Sequence, residues 1–238
     1  MINDWTLIML KYILIFSCGT IVGWGIEVIW RRFLGEARRW INPGFLSGPW
    51  LPLYGFGSIF LYLFCLPEPP LYILAPVFLV VLTVLEYIAG VIFIGYFKIR
   101  LWDYSRNRGN IKGLICPLYS FLWMGLGVFF YLVIFTRLNS MVEMLYRHLE
   151  ISFFIGIYGG LFVTDLWQSF NLAARIKSFA SETEEKLSVD FERLKLELRD
   201  RVQFGVINRT HFLLPFYGEL GASFREQLKK HRWRKKTE

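Results

Sequence analysis

Asn42-Pro-Gly-Phe-Leu-Ser-Gly-Pro-Trp-Leu-Pro-Leu-Tyr-Gly-Phe56 recurs, loosened, as Asn107-Arg-Gly-Asn-Ile-Lys-Gly-Leu-Ile-Cys-Pro-Leu-Tyr-Ser-Phe121. Seven of the fifteen paired positions are identical: Asn42/Asn107, Gly44/Gly109, Gly48/Gly113, Pro52/Pro117, Leu53/Leu118, Tyr54/Tyr119 and Phe56/Phe121. A repeated phrase implies a repeated structural unit, and two such units can face each other across one site. Each copy reads as a turn leading into a helix. The glycines permit positive φ or close backbone approach. Pro52 and Pro117 suit a first helical turn, where the missing N–H costs nothing. Asn42 and Asn107 can bond local backbone. Tyr54 and Tyr119 sit one turn inside, with an apolar body and a polar tip.

Outward from the phrases the chain is apolar. Of 238 residues, 55% are hydrophobic and 18% aromatic, and the mean hydropathy is +0.41. A soluble domain of this size cannot hide that much apolar surface. Runs at about 6–30, 51–66, 71–97, 114–136 and 150–168 predict five membrane-crossing helices, the second short. The expected fold is an all-α polytopic bundle: two parallel helix–loop–helix repeats (about 6–66 and 71–136), a fifth span (150–168), and a helical basic tail over 169–238. The start of the chain lacks the basic flank and cleavage site of a signal peptide.

Charge predicts orientation. Arg31, Arg32, Arg38 and Arg39 follow the first run; Lys98, Arg100, Arg106, Arg108 and Lys112 follow the third. The loop Pro67-Glu68-Pro69-Pro70 carries no basic residue. The positive-inside bias therefore predicts the N-terminus outside and the C-terminus in the cytoplasm, in a cell membrane of bacterial inner-membrane type. Both phrases then lie on the cytoplasmic side, which excludes an inverted-repeat arrangement. The net charge of +8 sits in membrane-flanking loops and the tail, where it meets anionic lipid rather than nucleic acid.

Acids inside the runs mark the candidate site. Glu27 precedes Arg31 by one turn, and the two can pair on one helix face. Glu86 lies twelve residues before Lys98, about 18 Å along a helix, with no cation one turn away. An ionisable group at that depth faces protein or a wet cavity and finds a partner on another element. Asp103, in Trp102-Asp103-Tyr104-Ser105 among Arg100, Arg106 and Arg108, reads first as a salt-bridge knot and second as an acid aimed at the site. Trp102 and Tyr104 suit headgroup anchoring. Asp165 in the fifth run reads as an interfacial cap or the partner of a loop arginine. Gly156, Gly159 and Gly160 read as a face for close helix packing. The candidate substrate-binding set is Glu86, Glu27, Asn42, Asn107, Tyr54, Tyr119, Asp103 and Arg31.

Beyond 168, Ser181-Glu-Thr-Glu184 can open a helix. Leu187, Phe191, Leu194 and Leu198 follow at seam spacing. Phe224–Lys236 is a basic, aromatic stretch suited to a membrane surface. Cys18, Cys65 and Cys116 show no metal or redox spacing, and no cofactor motif is present.

Gly23-Trp24-Gly25-Ile26-Glu27, Asn42–Pro49, Pro52–Gly57, Leu85-Glu86-Tyr87 and Trp102–Ser105 together resemble a bacterial multi-pass family, the CmpB-like ABC-transporter type IV proteins. The likeness runs from about 12 to 125. Two positions depart from it: Pro43 and Leu114 stand where the family carries Arg, so a basic ligand contact is not expected there. The resemblance implies a permease-type subunit served by a separate ATPase. The chain itself lacks GxxxxGK[ST] and cannot hydrolyse ATP by that motif. The residues leave open a transporter with a site between the repeats, a scaffold or regulatory subunit working through the tail, alone or as a homo-oligomer, and a membrane enzyme acting on lipid head groups, with Glu86 or Asp103 as acid or base.

Overall fold

The structure is a computed structural model. It describes residues 4–34, 40, 42–97, 99–182 and 189–190, with backbone alone beyond residue 170. The tail features at 183–188 and 191–238, including the Leu187–Leu198 stripe and the basic stretch at 224–236, lie outside the described residues.

The chain is an all-α bundle. Helix α1 is Asp4–Phe33, α2 Pro52–Cys65 and α3 Leu71–Ile92, the last prolonged by a π-helical turn to Phe97. Helix α4 (Pro117–Phe129), a π-helical turn (Phe130–Ile134) and α5 (Phe135–Arg147) form one continuous rod. Helix α6 is Ile151–Glu182. A two-residue strand β1, Ile99–Arg100, pairs in parallel with β2, Val189–Asp190. Four helices are long and apolar enough to cross a bilayer, and α2 is a shorter apolar helix. The protein is therefore an integral membrane helix bundle. Ile21, Val22, Ile29, Val80, Val84, Ile88 and Leu132 point outward, where lipid rather than protein solvates them.

Helices α1 and α2 form one antiparallel hairpin, and α3 and α4 the other. Between lipid-solvated helices, contact packing rather than hydrophobic burial holds the pair. In the first hairpin a Cβ on Gly19 would strike Ser58, and one on Gly23 would strike the Tyr54 ring. In the second, a Cβ on Gly127 would come within 2.8 Å of Phe78. The larger apolar core joins both hairpins to the start of α6, through Ile15, Leu61, Leu74, Phe78, Leu138 and Leu145.

Helix α2 begins deep. The Leu51 N–H donates to the Thr20 carbonyl at 3.1 Å. Thr20 is thirteen residues short of the end of α1, about 20 Å along its axis. Residues 42–51 therefore run beside α1 as non-helical backbone to the start of α2, which is about 21 Å long. Such backbone survives at membrane depth only when enclosed by protein. A second core encloses it: Phe45 and Leu46 pack with Phe97 and Ile99, against Phe162, Leu166 and Phe170 of α6.

Two expectations change. Residues 137–147 are not a connection, because the rod continues through them as the amphipathic α5, burying Leu138, Val142 and Leu145. The glycines of α6 meet no described residue: among those, nothing lies within 4 Å of a Cβ at Gly156, Gly159 or Gly160. Helix α6 docks instead through Ile155, Tyr158, Phe162, Asp165 and Ser169. That 3-4-3-4 stripe leaves the glycines on another face.

Candidate functional site

In the first hairpin, the bare backbone at Gly23 admits the Tyr54 ring, and one turn later the Tyr54 hydroxyl donates to Glu27 Oε2 at 3.1 Å. The other oxygen of Glu27 lies 3.4 Å from Arg31 Nε. This carboxylate thus has a cation on its own helix and a hydroxyl from α2, and the i, i+4 pairing follows from helical spacing.

The second hairpin builds its acid differently. Glu86 is 2% exposed. Its Oε1 accepts from the Tyr104 hydroxyl at 2.9 Å. Trp123 of α4 is the other polar side chain beside the carboxyl, yet no hydrogen bond of good geometry closes on Oε2. No lysine or arginine among the described residues forms an ion pair with Glu86. The loop supplies its tyrosine, not the helix: Tyr119, the counterpart of Tyr54, stacks on Tyr104 at 4.2 Å and holds that ring in place. Burial first, and then the neighbouring Glu86 carboxylate, raise the Tyr104 phenol far above its ordinary pKa, so it remains a donor.

The acids meet between the hairpins. Glu27 and Glu86 lie within electrostatic range of one another. The Tyr54 and Trp123 rings, one from each hairpin, are 5.0 Å apart. Trp30 of α1 reaches Tyr119 of α4 at 6.5 Å. Of the sequence-derived set, Glu27, Arg31, Tyr54, Glu86 and Tyr119 come together here.

Asn42, Asn107 and Asp103 do not join that cluster through their own bonds; they organise loops. Asn42 Nδ2 donates to the Leu46 and Ser47 carbonyls at 3.1 and 2.8 Å, and its Oδ1 accepts from Trp24 and Gly44. In the second loop that task falls to Asn110, which bonds the Ser105 and Asn107 carbonyls and the Gly113 N–H. Asn107 itself reaches the Cys116 sulfur at 3.5 Å. Asp103 is a knot: Ser105 donates from its N–H and hydroxyl, at 2.9 and 2.6 Å, and Arg100 donates at 2.8 Å. Slight burial pushes the Asp103 carboxyl up, but those donors outweigh it and hold the pKa below its ordinary value. The Trp102 indole donates to the Leu114 carbonyl at 2.8 Å, and the Tyr104 hydroxyl is committed to Glu86.

Among the described residues Asp165 pairs with no arginine. Its carboxylate accepts from the Ser47 and Gly48 N–H groups at 3.1 and 2.8 Å, the Trp50 indole at 2.7 Å and the Ser169 hydroxyl at 3.2 Å. It satisfies the backbone donors that the submerged loop would otherwise leave unpaired. Its lone acidic charge within an apolar run was visible; its partner, more than a hundred residues away, was not. Trp123 carried no signal at all among the other aromatic residues of its helix.

Among the described residues no three His, Cys, Asp or Glu side chains gather as a metal site. The cluster gathers, among the described residues, the carboxylates of Glu27 and Glu86, the Arg31 guanidinium and the rings of Tyr54, Tyr104, Tyr119 and Trp123. No curated protein and no solved structure matches the chain. The profile of one family, described as "Putative ABC-transporter type IV", matches residues 14–170, about two thirds of its length. The chain belongs to that family.

Proposed function

We propose that this protein is the membrane subunit of a transport system, with its solute site between the two hairpins at Glu27 and Glu86. One observation carries the reading: the two hairpins bring an acid each to a common space, and among the described residues only Glu27 is paired with a cation. A buried carboxylate left without a counter-charge is costly in a membrane and suits exchange of a proton or cation. Membership of a family named for ABC transport supports the same reading. On it, the hairpins are parallel repeats, the N-terminus is outside and the C-terminus cytoplasmic, and a separate ATPase docks on the basic end, which carries Arg100 and Arg106.

The test is uptake. Everted vesicles from cells overproducing the full chain, wild type against Glu86→Gln, are compared across a panel of inorganic cations, amines and anions. At least one solute moves with the wild-type chain and loses about tenfold in rate with Glu86→Gln, while Tyr104 keeps an oxygen to bond. If the two vesicle preparations agree for every solute, the proposal fails.

A further inference from the structure

At the end of the bundle opposite Arg31 and Arg32, Lys11 projects half-buried from α1. Among the described residues it has no hydrogen-bond or ion-pair partner: Asp4, Glu68 and Glu143 make none with it, and Glu150 pairs with His148. Its ammonium stands 4.8 Å from the centre of the Tyr62 ring and 5.6 Å from that of Tyr12. Tyr62 is a fixed platform. Its ring is buried, with Phe135 at 5.5 Å, and its hydroxyl donates to Asn139 Oδ1 at 2.6 Å. Helices α1, α2 and α5 thus meet at one lysine.

The polar groups left over here can all donate. A ring face meets one side of an ammonium, and the N–H groups turned away from it still need acceptors. The bond from Tyr62 uses only the oxygen of Asn139, and Nδ2 has no acceptor among the described residues. The Tyr12 and Tyr146 hydroxyls lie within electrostatic range of Tyr62, and neither is bonded among the described residues. The bilayer supplies what is missing. On the α4–α5 rod the exposed side chains change at this level from Phe129, Leu132 and Val133 to Thr136, Arg137, Ser140 and Glu143. Lys11 and Asn139 therefore lie near the edge of the hydrocarbon, where lipid phosphates stand. A lysine at that depth takes a phosphate as its counter-charge. A zwitterionic headgroup brings an ammonium as well, and Lys11 has no carboxylate within ion-pair reach to receive it.

We infer that Lys11 and Asn139 Nδ2 hold the phosphate of an anionic phospholipid, with the Tyr12 and Tyr146 hydroxyls at its rim, in the leaflet away from Arg31 and Arg32. This lipid site lies at the other end of the bundle from Glu27 and Glu86 and is independent of the transport reading.

The experiment is native mass spectrometry of the full chain released from detergent, titrated with phosphatidylglycerol or with phosphatidylcholine of the same acyl chains. The wild-type chain prefers phosphatidylglycerol, and Lys11→Met lowers that preference about fivefold, the worth of one lysine beside a charged headgroup. Lys11→Arg keeps it. Arg137→Gln keeps it too, because that guanidinium is exposed and bonded to the Val133 carbonyl. Equal affinity for the two lipids, a preference unchanged in Lys11→Met, or an equal fall in Arg137→Gln overturns the assignment. Excess inorganic phosphate leaves the lipid in place; displacement by it makes this a site for a free anion and overturns the lipid. Should Lys11→Met fail to fold, acetylation of the wild-type chain by an uncharged succinimidyl ester decides. In nanodiscs, Lys11 then reacts several-fold more slowly in phosphatidylglycerol than in phosphatidylcholine, relative to Lys112. An unchanged ratio of the two lysines overturns the site.

Discussion

Glu27 and Glu86 occupy similar places in their hairpins, yet their surroundings differ in one charge. Arg31 follows Glu27 at i+4, and nothing comparable follows Glu86. That difference was readable from spacing alone. The tyrosine on each acid was not readable: Tyr54 of the first phrase meets Glu27, but the loop residue Tyr104, and not Tyr119 of the second phrase, meets Glu86. Asp165 is the acid whose loss should be most destructive to the fold. Asp165→Asn would turn one acceptor oxygen into a donor facing the Gly48 N–H and the Trp50 indole, or the Ser47 N–H and the Ser169 hydroxyl. The expected cost is about 2–3 kcal/mol, seen as a lower Tm in detergent, with faster proteolysis in the 42–51 loop. Asp103 supports a smaller, pH-dependent effect. Its folded pKa is lowered, so the order it adds to its loop is complete above the ordinary carboxylate range and is lost as pH falls through that lowered value. Trp102, in the same loop, reports this by fluorescence on acidification. Asp103→Asn should remove the transition; an unchanged transition would show that another group causes it.

The two phrases share letters without sharing a backbone. In the second, Gly109 and Gly113 have φ of +71° and +69°, and Lys112 between them also turns left-handed at 54°. In the first, Gly48 is needed for closeness instead: a Cβ there would strike the Trp50 indole that Asp165 holds. Gly48→Ala should therefore push Trp50 off Asp165 and lower the Tm by an amount worth about 1–3 kcal/mol. Gly113→Ala is strained by φ and by crowding against Ser105, Arg100 and Asp103. It should alter the second loop and leave the first intact, as separate hydrogen-exchange profiles would reveal. The prolines behave alike in both, opening α2 and α4 at the first turn. A helix start needs only local chemistry, so it was legible in the letters. The path of a loop depends on what encloses it, and here one loop is enclosed by α6 and the other closes on itself.

For the whole molecule, the chain runs between two ends, one with Arg31, Arg32, Arg100 and Arg106, the other with the 66–70 turn and the end of α5. If the positive end is cytoplasmic, Glu68→Cys reacts with an impermeant maleimide on intact cells, and Arg108→Cys reacts only after lysis. Reversed labelling would invert the proposed orientation. Composition, hydropathy and the loop charges were enough to establish a membrane-embedded helix bundle and to single out Glu27 and Glu86, because helix formation in lipid and the cost of a buried charge are local matters of length, spacing and solvent. Local information could not establish that α2 begins halfway down α1, that Asp165 closes the submerged loop, or that Tyr54 and Trp123 meet between the hairpins. Those depend on which helix faces pack together, and among helices apolar on nearly every side, small residues and buried hydrogen bonds select the faces only once the bundle has assembled.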